Sequence, residues 1–95
     1  MNENEKRELC IKMATDLPLL RKAMGVTQIG FASMVGVTRS TIIKIERSRN
    51  MGWNMFLSFL MVLCKNEEAG RLLPVLGLYP EALDGFLCGR NEAGA

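Results

Sequence analysis

The sequence predicts a small all-α domain. Apolar residues recur at helical spacing along nearly the whole chain of 95 residues. Only six residues are aromatic and β-branched runs are scarce, so strands lack their usual material. A hydrophobic fraction of 48% is enough to fill one core and argues against disorder.

Residues 3–14 place Leu9, Met13 and Ala14 among Glu3, Glu5, Lys6, Arg7, Glu8 and Lys12, an amphipathic helix with a thin apolar stripe. Asp16 then has the character of an N-cap, with Pro18 tolerated in the following first turn. A break near residues 15–16 and a separate helix over about 17–24 follow as the expectation; one bent helix over 3–24 is the alternative. Leu17, Leu20 and Met24 form the second buried stripe, and Gly25 closes it. The leading segment either packs on the domain, the favoured reading, or serves as a dimer arm.

Thr27 is placed to cap a short helix whose apolar side is Phe31, Ala32 and Val35. Gly30 weakens this helix by roughly 1 kcal/mol, or it admits a close neighbouring element; the residues alone leave both open. Gly36 can take the left-handed conformation that stops this helix and turns the chain. Thr38 then caps a helix over about 38–47. At about 100° per residue, Thr41, Ile42 and Ile45 fall on one side; Arg39, Ser40, Ile43, Lys44 and Arg47 fall on the other. Two short helices joined by a tight glycine turn form a helix-turn-helix, whose second helix can enter the major groove of double-stranded DNA.

The charge follows the same division. The whole chain carries a net +2, but residues 17–50 hold six basic groups against the single acid Glu46, a net of +5. The flanks are mildly acidic, at −1 over residues 1–16 and −2 over residues 51–95. A polyanionic partner for the middle is the inference, with a merely solvated basic surface as the bland alternative.

Residues 53–64 make a helix with Trp53, Phe56, Phe59, Leu60 and Leu63 on its core side. Leu57, Met61 and Val62 make the other side apolar too, so this helix must be covered by the tail or by a second subunit. Asn66 can cap a short helix opened by Glu67 and Glu68, whose charges suit its N-terminus. Leu72, Leu73, Val75, Leu76 and Leu78 follow, interrupted by Pro74 and Gly77. Pro80 opens another short helix with Ala82, Leu83, Phe86 and Leu87 as its apolar side, and residues 89–95 are expected to fray.

Several function classes are disfavoured. There is no histidine, and Cys10, Cys64 and Cys88 are far apart with no CxxC pair, so no metal site or cofactor is expected. No glycine-rich phosphate loop and no Ser/Lys or Cys/His constellation is present, which argues against an enzyme. Apolar stretches are too short and interrupted to span a membrane, and the charged N-terminus does not read as a signal peptide. A reduced cytoplasmic protein is the expected setting.

Residues 17–64, about half the chain, resemble the Cro/C1-type (lambda-repressor-like) helix-turn-helix family. Leu20-Arg21 stands before Gly25-Val26-Thr27-Gln28, followed by Phe31-Ala32, Gly36-Val37-Thr38-Arg39-Ser40-Thr41-Ile42 and Ile45-Glu46-Arg47. Any one piece is weak; the ordered combination is specific. The resemblance implies a compact helical DNA-binding core at 16–65, an N-terminal helical extension at 1–15, and a C-terminal helical tail at 66–95 that packs on the core or forms a dimer interface. It implies an ion pair between Arg21 and Glu46 that orients the recognition helix, and a phosphate contact from Gln28. Arg39, Ser40 and Lys44 occupy the base-reading positions, and Thr38 and Thr41 reach phosphate. Arg49 and Asn50 are further phosphate candidates.

Two departures from the family stand out. Ser48 replaces a frequent glycine, so the turn after the recognition helix is expected to differ. Ile43 replaces an outward polar residue: it either packs on a thymine methyl or marks a surface rebuilt for a protein partner. The leading functional expectation is a sequence-specific transcriptional regulator acting as a homodimer. The alternative is a protein-interaction module or the antitoxin of a toxin–antitoxin pair.

Overall fold

A computed structural model of the chain describes residues 1–79. The first helix, α1 (Glu3–Met24), begins with a capping box: the Asn2 side chain accepts from the Glu5 amide at 2.8 Å, and the Glu5 carboxylate accepts from the Asn2 amide at 2.9 Å. The helix then continues without interruption through Asp16 and Pro18. The expected break at 15–16 is therefore wrong, and the alternative of one helix over 3–24 is the observed arrangement. Cys10, Met13, Ala14, Leu17 and Leu20 are all buried, and their spacing stays in helical phase across the proline. A break would rotate half of that stripe out of the core, whereas Pro18 itself stands on the exposed side. Packing on both sides of the proline offsets its cost of about 3 kcal/mol. Asp16 caps nothing; it lies mid-helix with its Oδ2 3.9 Å from Lys12 Nζ. Buried Cys10 acts as a small apolar residue, its thiol pushed up by burial.

Gly25 ends α1 in the left-handed conformation, with its amide donating to the Arg21 and Lys22 carbonyls. Thr27 then caps α2 (Gln28–Val35) by accepting from the Gly30 amide at 3.0 Å. A Cβ on Gly30 would meet only Thr27 Oγ1 at 3.4 Å and Val26 Cβ at 3.5 Å. Among the described residues, no other element approaches this glycine closely, which leaves it a weak point in a short helix. Gly36, again left-handed, turns the chain into α3 (Arg39–Ser48), capped by Thr38.

The fourth helix, α4 (Trp53–Cys64), buries Phe56, Phe59, Leu60 and Leu63. Phe59 meets Phe31 of α2 edge-on, with ring centroids 5.0 Å apart. Trp53 departs from expectation: it is only half-buried, stacks on Phe56 and lies under Lys6, whose Nζ is 5.5 Å from the ring. The last described helix, α5 (Glu67–Val75), is capped by Asn66, which accepts from the Ala69 amide at 2.9 Å. Gly77 then takes a positive φ and the chain returns to bury Leu78.

α1 lies across α3, α4 and α5, while α2 packs on α3 and α4. α5 packs on α4, and Leu57 and Val62 of α4 are half-buried. Met61, at 48%, and Val75, at 80%, stay exposed. Among the described residues there are five helices and no strand, one shared core and no buried polar residue. The expected helix from Pro80 with Ala82, Leu83, Phe86 and Leu87, the frayed end and Cys88 lie outside the described residues.

Candidate nucleic-acid interface

The orientation of α3 is set from two sides. Its apolar side, Ile42 and Ile45, is buried in the core. Between these faces Glu46 gathers donors from two other segments. Arg21 Nε donates to Glu46 Oε2 at 2.7 Å, and Arg21 Nη2 donates to Oε1 at 3.3 Å. Gln28 Nε2 donates to the same Oε1 at 2.9 Å, and Arg21 Nη1 reaches the Val26 carbonyl at 3.3 Å. The guanidinium and carboxylate side chains are 17% and 11% exposed, so solvent screens the pair less than a surface one. One carboxylate thus ties α1, the start of α2 and α3 together. Its main effect is geometric, because partly buried pairs gain little net energy over well-packed apolar residues.

This arrangement gives Gln28 a role the sequence did not indicate. Its amide is engaged inside the protein with Glu46 and not held free toward solvent. A carboxamide has a second N–H and a carbonyl oxygen, so the bond to Glu46 orients a side chain that still has hydrogen-bonding capacity.

Arg39, Ser40 and Lys44 lie exposed along the outer side of α3. Arg39, Lys44, Arg47 and Arg49 have no acidic partner among the described residues; Lys6 and Lys12 each have one, and Arg71 has two. Arg47 belongs with the first group, although the resemblance, which includes it, assigned it no DNA contact. The signal was its spacing, one helical turn beyond Ile43. Thr38 Oγ1 accepts from the Thr41 amide at 3.2 Å and lies 3.1 Å from Thr41 Oγ1. Both hydroxyls therefore sit at the N-terminus of α3, where the helix dipole favours an anion.

The helix runs to Ser48, one residue beyond the expected 47, and the chain leaves it at Arg49. Arg49 takes the left-handed conformation with φ 56°, its amide donating to the Ile45 carbonyl. The left-handed position of this turn therefore falls on Arg49, a side chain that favours that conformation less than glycine does. Asn50 Oδ1 accepts from the Met51 amide at 2.9 Å and fixes the exit loop.

Among the described residues, no group of His, Cys, Asp and Glu is placed to hold a metal ion. No described helix is long and apolar enough to cross a membrane.

The helix-turn-helix family model matches residues 19–51, from the second half of α1 to the exit loop of α3. No curated protein and no solved structure gives a significant match to the chain. The match is narrower than the resemblance over 17–64, but it holds both short helices, both glycine turns and both partners of the Arg21–Glu46 pair. The segment 19–51, with its capped and oriented second helix and outward cations, is thus similar to the helix-turn-helix family, in line with the resemblance to Cro/C1-type, lambda-repressor-like DNA-binding proteins.

Proposed function

We propose that this protein is a sequence-specific transcriptional regulator that lays α3 in the major groove of DNA. The observation that supports it best is the set of unpaired cations Arg39, Lys44 and Arg47 on the side of α3 opposite the core. Among the described residues they have no acidic partner, and a duplex supplies phosphates and guanine edges that match them. Arg39, Ser40 and Lys44 read bases. Thr38, Thr41, Arg49 and Asn50 hold phosphates around the two ends of α3, and Gln28 adds one from the start of α2. Arg21 and Glu46 keep the helix at the right angle. The role is non-catalytic and cytoplasmic. A homodimer would read two half-sites about one helical turn apart.

The exposed Met61 and Val75 favour a second reading, in which the protein also binds a protein partner, as an antitoxin does. Fluorescence-anisotropy titration with generic duplex DNA at several salt concentrations separates the two. The expected result is a steep salt dependence for the wild type, and weaker binding with a shallower slope for Arg39→Ala/Lys44→Ala. No binding at low salt, or equal binding by the double variant, would overturn the DNA reading and leave the partner reading.

A further inference from the structure

Ile43 lies at the centre of the basic face of α3. At about 100° per residue, Arg39 and Arg47 stand one turn before and after it, each within about 40°, and Ser40 within about 60°. Ile42 and Ile45, the residues that face the core, lie on the other side of the helix. Ile43 is partly exposed and is not among the hydrophobic residues packed against the core. It shares a shallow recess with Ser40, Lys44, Arg47 and Ser48. An aliphatic side chain has therefore been placed where the rest of the surface is built for a polyanion, and core packing does not explain it.

Building on the DNA reading above, we propose that Ile43 is a specificity-determining residue that packs on the 5-methyl group of a thymine. The chemistry of the groove narrows the choice. The edges of the base pairs in the major groove present hydrogen-bond donors and acceptors, and the one prominent apolar group is the thymine methyl. A donor or acceptor pressed against Ile43 would lose water without gaining a partner, which is unfavourable. A thymine at that position gives Ile43 an apolar contact and lets Arg39 and Lys44 bind the polar edges on either side. Ile43 thus discriminates by a methyl group, where Arg39 discriminates by hydrogen bonds.

The test removes that methyl and nothing else. The full chain is used to enrich a site from random duplexes. Each thymidine of the enriched site is then replaced in turn by deoxyuridine, which keeps every hydrogen-bonding group. One position in each half-site is expected to lose about fourfold in affinity, the factor that corresponds to one buried carbon group. Ile43→Ala should bind the thymidine and deoxyuridine forms equally, while Ile43→Val, which keeps an apolar side chain, should retain the discrimination. If a site is enriched but every deoxyuridine replacement is neutral, or if Ile43→Ala still discriminates, the assignment is overturned and Ile43 serves something other than base reading. If no site is enriched at all, the DNA reading itself fails and this assignment falls with it.

Discussion

The helices α3 and α4 are similar in length, at 10 and 12 residues, but they are held in opposite ways. α3 buries only Ile42 and Ile45. It relies on polar devices at its ends and edge: the Thr38 cap, the Glu46 carboxylate with donors from Arg21 and Gln28, and a tight exit at Arg49. α4 has no side-chain cap at Gly52, no acid in its first turn and no base in its last. It buries four large side chains and is held chiefly by packing. An isolated helix this short is marginal in water, so each needs outside support. The difference follows from what each helix leaves free. A helix stabilised at its ends and edge keeps a whole face open for a ligand, and α3 keeps its cations there. A helix stabilised by burial spends its faces on the core.

Cutting into the core face of α4 should have the largest effect. Phe59→Ala removes the ring that meets Phe31 and should destabilise the protein by about 3–5 kcal/mol, read from urea unfolding. A loss no greater than that from cutting a cap would mean that burial is not what holds α4.

Next in size is the Glu46 junction. Arg21→Ala leaves a largely buried carboxylate with Gln28 as its remaining side-chain donor and should cost about 2 kcal/mol. Replacing both charges, as Arg21→Met/Glu46→Leu, should recover much of that stability. It should still weaken DNA binding, because the pair orients α3. Recovery of full binding along with stability would show that the junction does not orient the helix.

Thr38→Ala should cost about 1 kcal/mol, seen as a lower thermal midpoint. Arg49→Gly should act in the other direction. It relieves a left-handed arginine, and because glycine gives back some backbone entropy the net gain is about 0.5–1 kcal/mol. The same substitution removes a cation, so the salt dependence of DNA binding should become shallower by about one phosphate contact. A variant that gains stability and binds with an unchanged slope would remove Arg49 from the interface.

Much of this molecule was legible in its sequence because its signals are local. Thr27, Thr38 and Asn66 act as caps, and Gly25 and Gly36 act as left-handed stops, through bonds spanning only a few residues. The division of α3 into Ile42/Ile45 and the basic face follows from helical period alone. The misread features depend on distant partners. Asp16 and Pro18 look like a helix start, and only the core that takes Cys10, Met13, Leu17 and Leu20 on one face carries the helix past them. Trp53 has the pattern of a core residue, yet it lies at the margin under Lys6.

The helical character of the described residues, the two-helix motif and the cations it displays could therefore be read from the amino-acid sequence. Caps, glycines and periodicity act within one or two turns of helix, so no tertiary contact is needed to read them. Tertiary structure decided that α1 is one helix, that α5 packs on α4, and that Gln28 joins Arg21 on Glu46. Each of these sets the burial or pairing of residues far apart in the chain against a local preference, and the balance exists only once the core has formed.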